Sequence, residues 1–191
     1  MVAQNLTGAQ AILRTAERFR PLGYRETEHG VRLFGPAPHV APQAWLHAIP
    51  RGLGSTEIKY LAQAVGREIP SSYAEFLQIM NGVKLFAGIL TLYGVRPPTA
   101  GRGIDAAFLP FDVIDPNRSE FPQGLRPELF LIGGYKIDGS RVALSSSSGA
   151  VERVAGAGPA GVTGYPQSSR TISLPAGIMP ASSPPRPVRG S

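Results

Sequence analysis

The sequence predicts an α+β domain with a mainly antiparallel sheet, followed by a disordered C-terminal tail. Three segments with helical spacing come first, short β-rich segments separated by turn residues follow, and the composition changes again near residue 155. With 191 residues, the chain has room for one domain of ordinary size and an appendage. We divide it into an N-terminal helix and loop-rich extension (residues 1–53), an α+β domain (54–154) and a Pro/Gly/Ser-rich tail (155–191).

Two of the predicted helices lie in the first third of the chain. Residues 7–20 begin with a Thr-x-x-Gln cap and carry apolar residues at a helical period. Residues 56–65 have the same period and end before Gly66, which favours the conformation that closes a helix. Pro and Gly punctuate residues 21–50, where we expect only a short strand and a helical turn around Trp45.

The third helix, within residues 69–83, is the most clearly marked. Ser72 and Glu75 are spaced as a capping box, and Gly82 is expected to end the helix by adopting a positive φ. Asn81 is expected to bond the local backbone rather than a ligand. Apolar residues at i, i+3, i+4 and i+7 are expected in the core: Tyr73, Phe76, Leu77 and Met80.

Strands are expected mainly after the third helix. Gly88 is placed to join the first two as a hairpin, and the Asp138-Gly139 pair marks a tight turn further on. Residues 108–115 fit either a short strand or a turn of helix. The predicted strands are residues 31–34, 84–87, 89–95, 129–133, 140–145 and 150–154.

The last part of the chain has the composition of a disordered segment. Of residues 154–191, 7 are Pro, 6 are Gly and 6 are Ser, and none is acidic. Such a segment buries too little apolar surface to offset the entropy lost on ordering.

Composition also excludes several classes of protein. The chain has no cysteine, which removes disulfides, thiol nucleophiles and cysteine metal clusters and favours the reducing cytoplasm. The longest uncharged apolar stretch holds eleven residues, well short of the ~20 that span a bilayer. Because the first residues also lack a signal-peptide pattern, we expect a soluble cytoplasmic protein without membrane contact.

The net charge of +6 does not indicate nucleic-acid binding. Residues 1–150 carry 15 Lys or Arg against 12 Asp or Glu, and residues 151–191 carry 4 against 1, so half of the excess lies in the tail. In the body the basic residues are scattered singly rather than aligned along one stretch, which disfavours a phosphate-binding surface.

No catalytic, cofactor-binding or metal-binding residues are predicted. The spacing of His29, His39 and His47 matches no metal-ligand motif. The Gly101-x-Gly103-x-x-Ala106 run lacks the preceding strand of a dinucleotide loop, so it is interpreted as a plain loop. Gly-x-Ser-x-Gly, Walker-type and His-Glu-x-x-His motifs are absent from the sequence.

A series of short motifs remains, in a definite order and spacing. They are Ile69-Pro70-x-x-Tyr73-x-x-Phe76-Leu77-x-x-x-Asn81-Gly82, Gly88-Ile89-Leu90-x-Leu92-Tyr93, Leu131-Ile132-Gly133-Gly134-Tyr135, Asp138-Gly139-Ser140 and Gly149-Ala150-Val151. Together they resemble the SUKH superfamily, the Smi and Knr-like proteins. Two features depart from that family: Val83 stands where a second glycine is common, and the chain enters its tail where relatives continue into another helix.

The resemblance implies helices packed on one side of the sheet and a non-catalytic, protein-binding role. Many bacterial members are immunity proteins that bind and neutralise a toxin, and fungal relatives are regulatory scaffolds. We therefore expect an immunity protein whose partner is a toxin domain encoded nearby, with a scaffold that binds a host protein as the alternative. A small hydrolase with a site around the histidines is a third and weaker alternative.

Four residues are candidates for contact with the partner. Aromatic and amphipathic side chains near strand ends and loops are common in protein interfaces, and strand ends are predicted on either side of the Asp138-Gly139 turn. The candidates are Tyr93, Tyr135, Lys136 and Asp138.

Overall fold

The computed structural model describes residues 8–97 and 103–155. Its helices are α1 (Gly8–Glu17), α2 (Ser55–Val65), α3 (Ser71–Ile79) and α4 (Ile114–Asn117), with 3₁₀ turns at Arg20–Leu22 and Ile104–Phe108. Its strands are β1 (Tyr24–Glu26), β2 (Arg32–Pro36), β3 (Trp45–Ile49), β4 (Val83–Leu85), β5 (Leu90–Leu92), β6 (Leu129–Tyr135), β7 (Arg141–Ser145) and β8 (Val151–Val154). The predicted tail lies outside the described residues from position 156 onward.

These strands form one antiparallel sheet in which each strand pairs with the next along the chain, from β1 to β8. Helices α2 and α3 lie in the connection between β3 and β4, and α4 lies in the connection between β5 and β6. The predicted α+β class is therefore confirmed. Because His47 of β3 pairs with Leu85 of β4, strands from both sides of position 53 share the sheet.

Helices α1, α2 and α3 pack on one face of the sheet. Beneath α2 and α3, the core takes in alternate residues of β6 and β7 on that face: Phe130, Ile132, Val142 and Leu144. Beneath α1 and the end of α3 it takes in Phe34, Ile49 and Val83. Because α1, α2 and α3 all contact the same face, the prediction that the helices pack on one side of the sheet is also confirmed.

The opposite face is covered by irregular segments rather than by long helices. Leu33 and Ala48 lie under the 3₁₀ turn at Ile104–Phe108. Leu131 and Ala143 lie further along the sheet and pack against Phe121, Leu125 and Val154. Each half of the second face therefore has its own small apolar cluster.

Helix α2 ends before Gly66 as its sequence predicts, but it begins at Ser55 with Gly54 as its N-cap, one residue before the predicted start. The Glu57 carboxylate accepts a hydrogen bond from the Gly54 backbone N–H at 2.8 Å, which satisfies a donor at the start of the helix. Gly66 follows the last residue with φ 72°, the left-handed conformation of a helix stop.

Helix α3 differs from its predicted bounds. It begins at Ser71, so Ser72 lies within the first turn rather than at the cap, and it ends at Ile79 with Met80 extended. Gly82 has φ 75° but serves the turn into β4, where an added Cβ would lie 2.8 Å from the carbonyl oxygen of Leu92. The helix therefore stops at Met80, two residues before the expected stop at Gly82.

The segment before α2 holds more strand than predicted. Trp45–Ile49 is strand β3, so the expected helical turn around Trp45 is wrong. Strand β1 at the sheet edge was not predicted, because its three residues are exposed and show no apolar alternation. Of the two alternatives for residues 108–115, the helical one is closer, since α4 begins at Ile114.

Two buried asparagines each use their side-chain amide to bond both backbone groups of one residue, as a neighbouring strand would. The Asn81 amide donates to Val95 O at 2.8 Å and its Oδ1 accepts from Val95 N–H at 2.6 Å. The Asn117 amide donates to Leu131 O at 2.7 Å and its Oδ1 accepts from Leu131 N–H at 2.8 Å. Asn81 bonds backbone groups rather than a ligand, but these groups belong to Val95 in the segment after β5, so the expected bond to the local backbone is wrong.

None of the helices in the described ranges is long and apolar enough to cross a membrane.

Candidate functional site

The candidate site is a groove of about 840 Å³ between α3 and the strands β5 to β8, on the helix-covered face of the sheet. The start of α1 closes one end of it. Its apolar lining comes from Ile12, Phe76, Leu90, Leu92, Ile132, Val142, Leu144 and Val151. Its polar or charged side chains include Ser72, Glu75, Gln78, Tyr135 and Arg153.

The groove exists because the sheet is wider than its layer of helices. The core beneath α2 and α3 reaches β7 through Val142 and Leu144 and includes no residue of β8 among those described. The same two side chains line the groove, so the apolar strip that begins in the core continues into it. Val151 extends this strip onto β8, where its side chain remains 37% exposed.

One wall of the groove is α3. The Tyr73 hydroxyl is held in the core, donating to Tyr93 O at 2.9 Å, and burial raises the pKa of this phenol well above its usual value. The Phe76 ring stacks on Tyr73 with the ring centroids 5.9 Å apart and is only half-buried, because its other side faces the groove. The core position expected for Tyr73 is confirmed, whereas Phe76 packs against the core and also lines the groove.

The opposite wall carries a charged cluster around Arg153. The guanidinium lies 4.6 Å from the centroid of the Tyr135 ring, and its Nε donates to Ser140 Oγ at 2.8 Å. It also forms an ion pair with Asp138. Hydrogen bonds from the Ser140 hydroxyl and backbone, followed by the Arg153 charge, lower the pKa of the Asp138 carboxyl.

The four predicted contact residues fall at different distances from this groove. Tyr135 lines the groove, and Asp138 lies at its rim, where it forms the ion pair with Arg153. Lys136 lies on the exposed turn after β6, where its N–H donates to Ile89 O at 2.9 Å. Tyr93 is not among the lining residues, and its hydroxyl packs beside Gly134. The structure therefore brings Tyr135 and Asp138 together and leaves the other two apart.

Arg153 is the groove residue that sequence reasoning missed. The signal was present, because Val151 and Arg153 alternate with Glu152 in a predicted strand, and alternate residues share a face. The sequence does not show which face of the sheet they share, because the four residues of this strand have mixed polarity.

The histidines do not form a common site. His47 is buried between Phe19 and Phe86, with ring centroids 4.7 and 5.2 Å away, and neither ring nitrogen has a hydrogen-bond partner among the described residues. His29 lines a second cavity of about 800 Å³ and lies 3.5 Å from a carboxylate oxygen of Glu28. Within residues 8–97 and 103–155, His, Asp and Glu side chains do not gather in threes that could hold a metal ion.

Lys84 is perturbed but lies outside the groove, on the opposite face of the sheet. Burial, together with the charge of Arg96, lowers its pKa to about 8. Its ammonium donates to Ala107 O at 2.5 Å and lies 4.8 Å from the centroid of the Phe111 ring. These contacts attach the segment around the second 3₁₀ turn to β4, so we assign Lys84 a structural role.

No family model matches this chain, and no curated protein matches it.

Proposed function

We propose that this protein is a non-catalytic binding module that takes a protein partner in the groove between α3 and β8. The observation that carries the proposal is the apolar strip of Val142, Leu144 and Val151, which begins in the buried core and ends at the partly exposed Val151, on a part of the sheet that no helix of the described residues covers. Contiguous apolar surface bordered by polar residues is typical of sites that bind proteins. Glu75 and Arg153 provide that polar border on opposite walls.

We further propose that the partner is a toxin domain and that this chain is its cytoplasmic immunity protein. The resemblance to the SUKH superfamily supports this, and so does a site built for contact rather than for chemistry. Neutralisation would be steric, by covering the toxin's active site or substrate channel. Mimicry of nucleic acid is disfavoured because the body of the protein is mildly basic.

The test is co-expression with the product of an adjacent toxin gene, followed by co-purification and a growth-protection assay. Val151→Glu places a charge in the groove, whereas Val40→Glu places the same charge on a loop valine that is 57% exposed and outside the groove. We expect Val151→Glu to weaken binding at least tenfold, about 1.4 kcal/mol, and to lose protection, with Val40→Glu behaving as wild type.

Each outcome has a defined meaning. A wild-type chain that neither binds the toxin nor protects the cell would exclude the immunity role. Binding of a host protein through the same groove, without protection from a toxin, would favour the regulatory scaffold. Equal binding by the two glutamate variants would show that the partner surface lies elsewhere.

A further inference from the structure

The outer edge of β8 presents backbone groups that can pair with another strand. Ser145 N–H donates to Ala150 O at 2.9 Å, and this bond sets the alternation along the β7–β8 ladder. Glu152 and Val154 therefore direct their backbone groups towards β7. Val151 and Arg153 direct theirs away from it, where the part of the chain that the structure describes supplies no further strand.

The same two residues line the groove. The side chains of Val151 and Arg153 face the helix-covered side of the sheet, opposite the groove residues Leu144 and Val142 of β7. A strand added at this edge would place every second side chain over the groove, next to Val151 and Arg153. Backbone pairing and groove filling would therefore occur together.

The charged residues of β8 determine which residue types an added strand would favour. Arg153 lines the groove, whereas the Glu152 side chain lies on the opposite face with its β7 neighbour Ala143 and forms an ion pair with Arg126. In an antiparallel pair, residues directly opposite each other interact, so Arg153 favours an acidic residue, Glu152 a basic one and Val151 an apolar one. Because the added strand runs antiparallel to β8, its residues from N- to C-terminus are acidic, basic and apolar.

A second copy of this chain is a poorer occupant. Two β8 strands paired through both Val151 and Arg153 would place Glu152 directly opposite the copy's Glu152. Like charges directly opposite each other destabilise an antiparallel pair, and charged residues on an edge strand are a common protection against such pairing.

We propose that β8 accepts an extended segment of the protein partner as a ninth strand, with an acidic residue opposite Arg153, a basic residue opposite Glu152 and an apolar residue opposite Val151. This inference rests on the proposed protein-binding function and specifies how the partner is held. The partner's apolar side chain would lie on the strip formed by Val142, Leu144 and Val151.

The first test uses a synthetic peptide and the full-length ¹⁵N-labelled chain. The probe is acetyl-Thr-Val-Glu-Lys-Val-Thr-Val-amide, and the matched control exchanges its Glu and Lys. We expect the probe to slow hydrogen exchange at the Val151 and Arg153 amides and the control peptide to bind at least about fivefold more weakly, because two attractive cross-strand pairs become repulsive. Unchanged amides at 2 mM probe, about the upper end of weak peptide affinities, or amides already protected in the free chain, would overturn the proposal.

The second test separates this proposal from the proposed function. Val151→Pro removes one outward N–H, which an edge strand tolerates, whereas Val151→Ala shortens the side chain and keeps the N–H. If the toxin is the partner, we expect Val151→Pro to bind it at least tenfold more weakly than Val151→Ala. Equal binding of the toxin by the two variants would overturn strand addition and leave the immunity role standing. A wild-type chain that binds the peptide but no toxin would exclude the immunity role and leave strand addition standing.

Discussion

Phe76 and Leu77 are adjacent in α3 and have different surroundings. Leu77 is fully buried between α2 and the sheet, whereas Phe76 is half-buried at the border of the groove. The helical period places both on the apolar side of α3, but it does not say where the sheet beneath them remains uncovered. The burial of Leu77 was therefore predictable from the sequence, and the exposure of Phe76 was not.

The two residues should respond differently to truncation. We expect Leu77→Ala to lower the free energy of unfolding by about 2 to 5 kcal/mol, as for an emptied core site. Phe76→Ala should cost less, about 1 to 2 kcal/mol, because solvent already reaches part of the ring. It should also weaken partner binding in the groove. Urea denaturation and a binding titration measure the two effects, and equal destabilisation with unchanged binding by Phe76→Ala would contradict this interpretation.

At the scale of elements, the short helix α4 is attached to the sheet through one side chain. Asn117 is 4% exposed and bonds both backbone groups of Leu131 at a point where β5 no longer runs beside β6. Its amide also donates to Val113 O at 3.0 Å, within its own helical turn. The amide group thus replaces a missing strand neighbour and fixes the position of α4.

Replacing this amide should be costly. Asn117→Leu would leave the N–H and C=O of Leu131 buried without partners, and we expect it to lower the free energy of unfolding by about 2 to 4 kcal/mol. The matched control is Gln63→Leu on the exposed side of α2, for which we expect a change within about 0.5 kcal/mol. Chemical denaturation of both variants provides the comparison, and similar midpoints would show that Asn117 is dispensable.

The elements also differ in how far the sequence determines them. The β4–β5 hairpin and the turn at Asp138-Gly139 were predictable, because Gly88 and Gly139 have positive φ in the turns that these strands require. Strand β3 was not, because a short apolar run fits a buried strand and a helical turn equally well. It becomes a strand by pairing with β2 and β4, which are distant from each other in sequence.

At the scale of the whole molecule, the groove arises because the sheet is wider than the layer of helices that packs on it. Eight consecutive antiparallel strands make a sheet that extends past its helices, and β8 stands at the edge that they leave uncovered. Tyr135 and Arg153 meet there only because β6, β7 and β8 are in register. Local sequence pattern carries no information about that register, which explains why two of the four predicted contact residues lie outside the groove.

His47 connects three distant parts of the molecule and should make its stability depend on pH. The ring lies on β3 between Phe19, which follows α1, and Phe86, which follows β4. Burial lowers the pKa of His47, so the unfolded chain binds a proton more readily than the folded one. The stability associated with neutral His47 is therefore present above the unfolded pKa of about 6.5 and is lost as the pH falls towards the folded value.

We expect the free energy of unfolding to decrease between pH 7.5 and pH 5, and this decrease to be much smaller in His47→Leu. The matched control is His39→Leu, because His39 is exposed and its removal should leave the pH dependence intact. The window lies above the range in which Glu17 and Asp138 titrate, since hydrogen bonds lower the pKa of both carboxyls. Urea unfolding of the three proteins across this window provides the measurement, and an unchanged slope in His47→Leu would show that the buried imidazole does not couple folding to protonation.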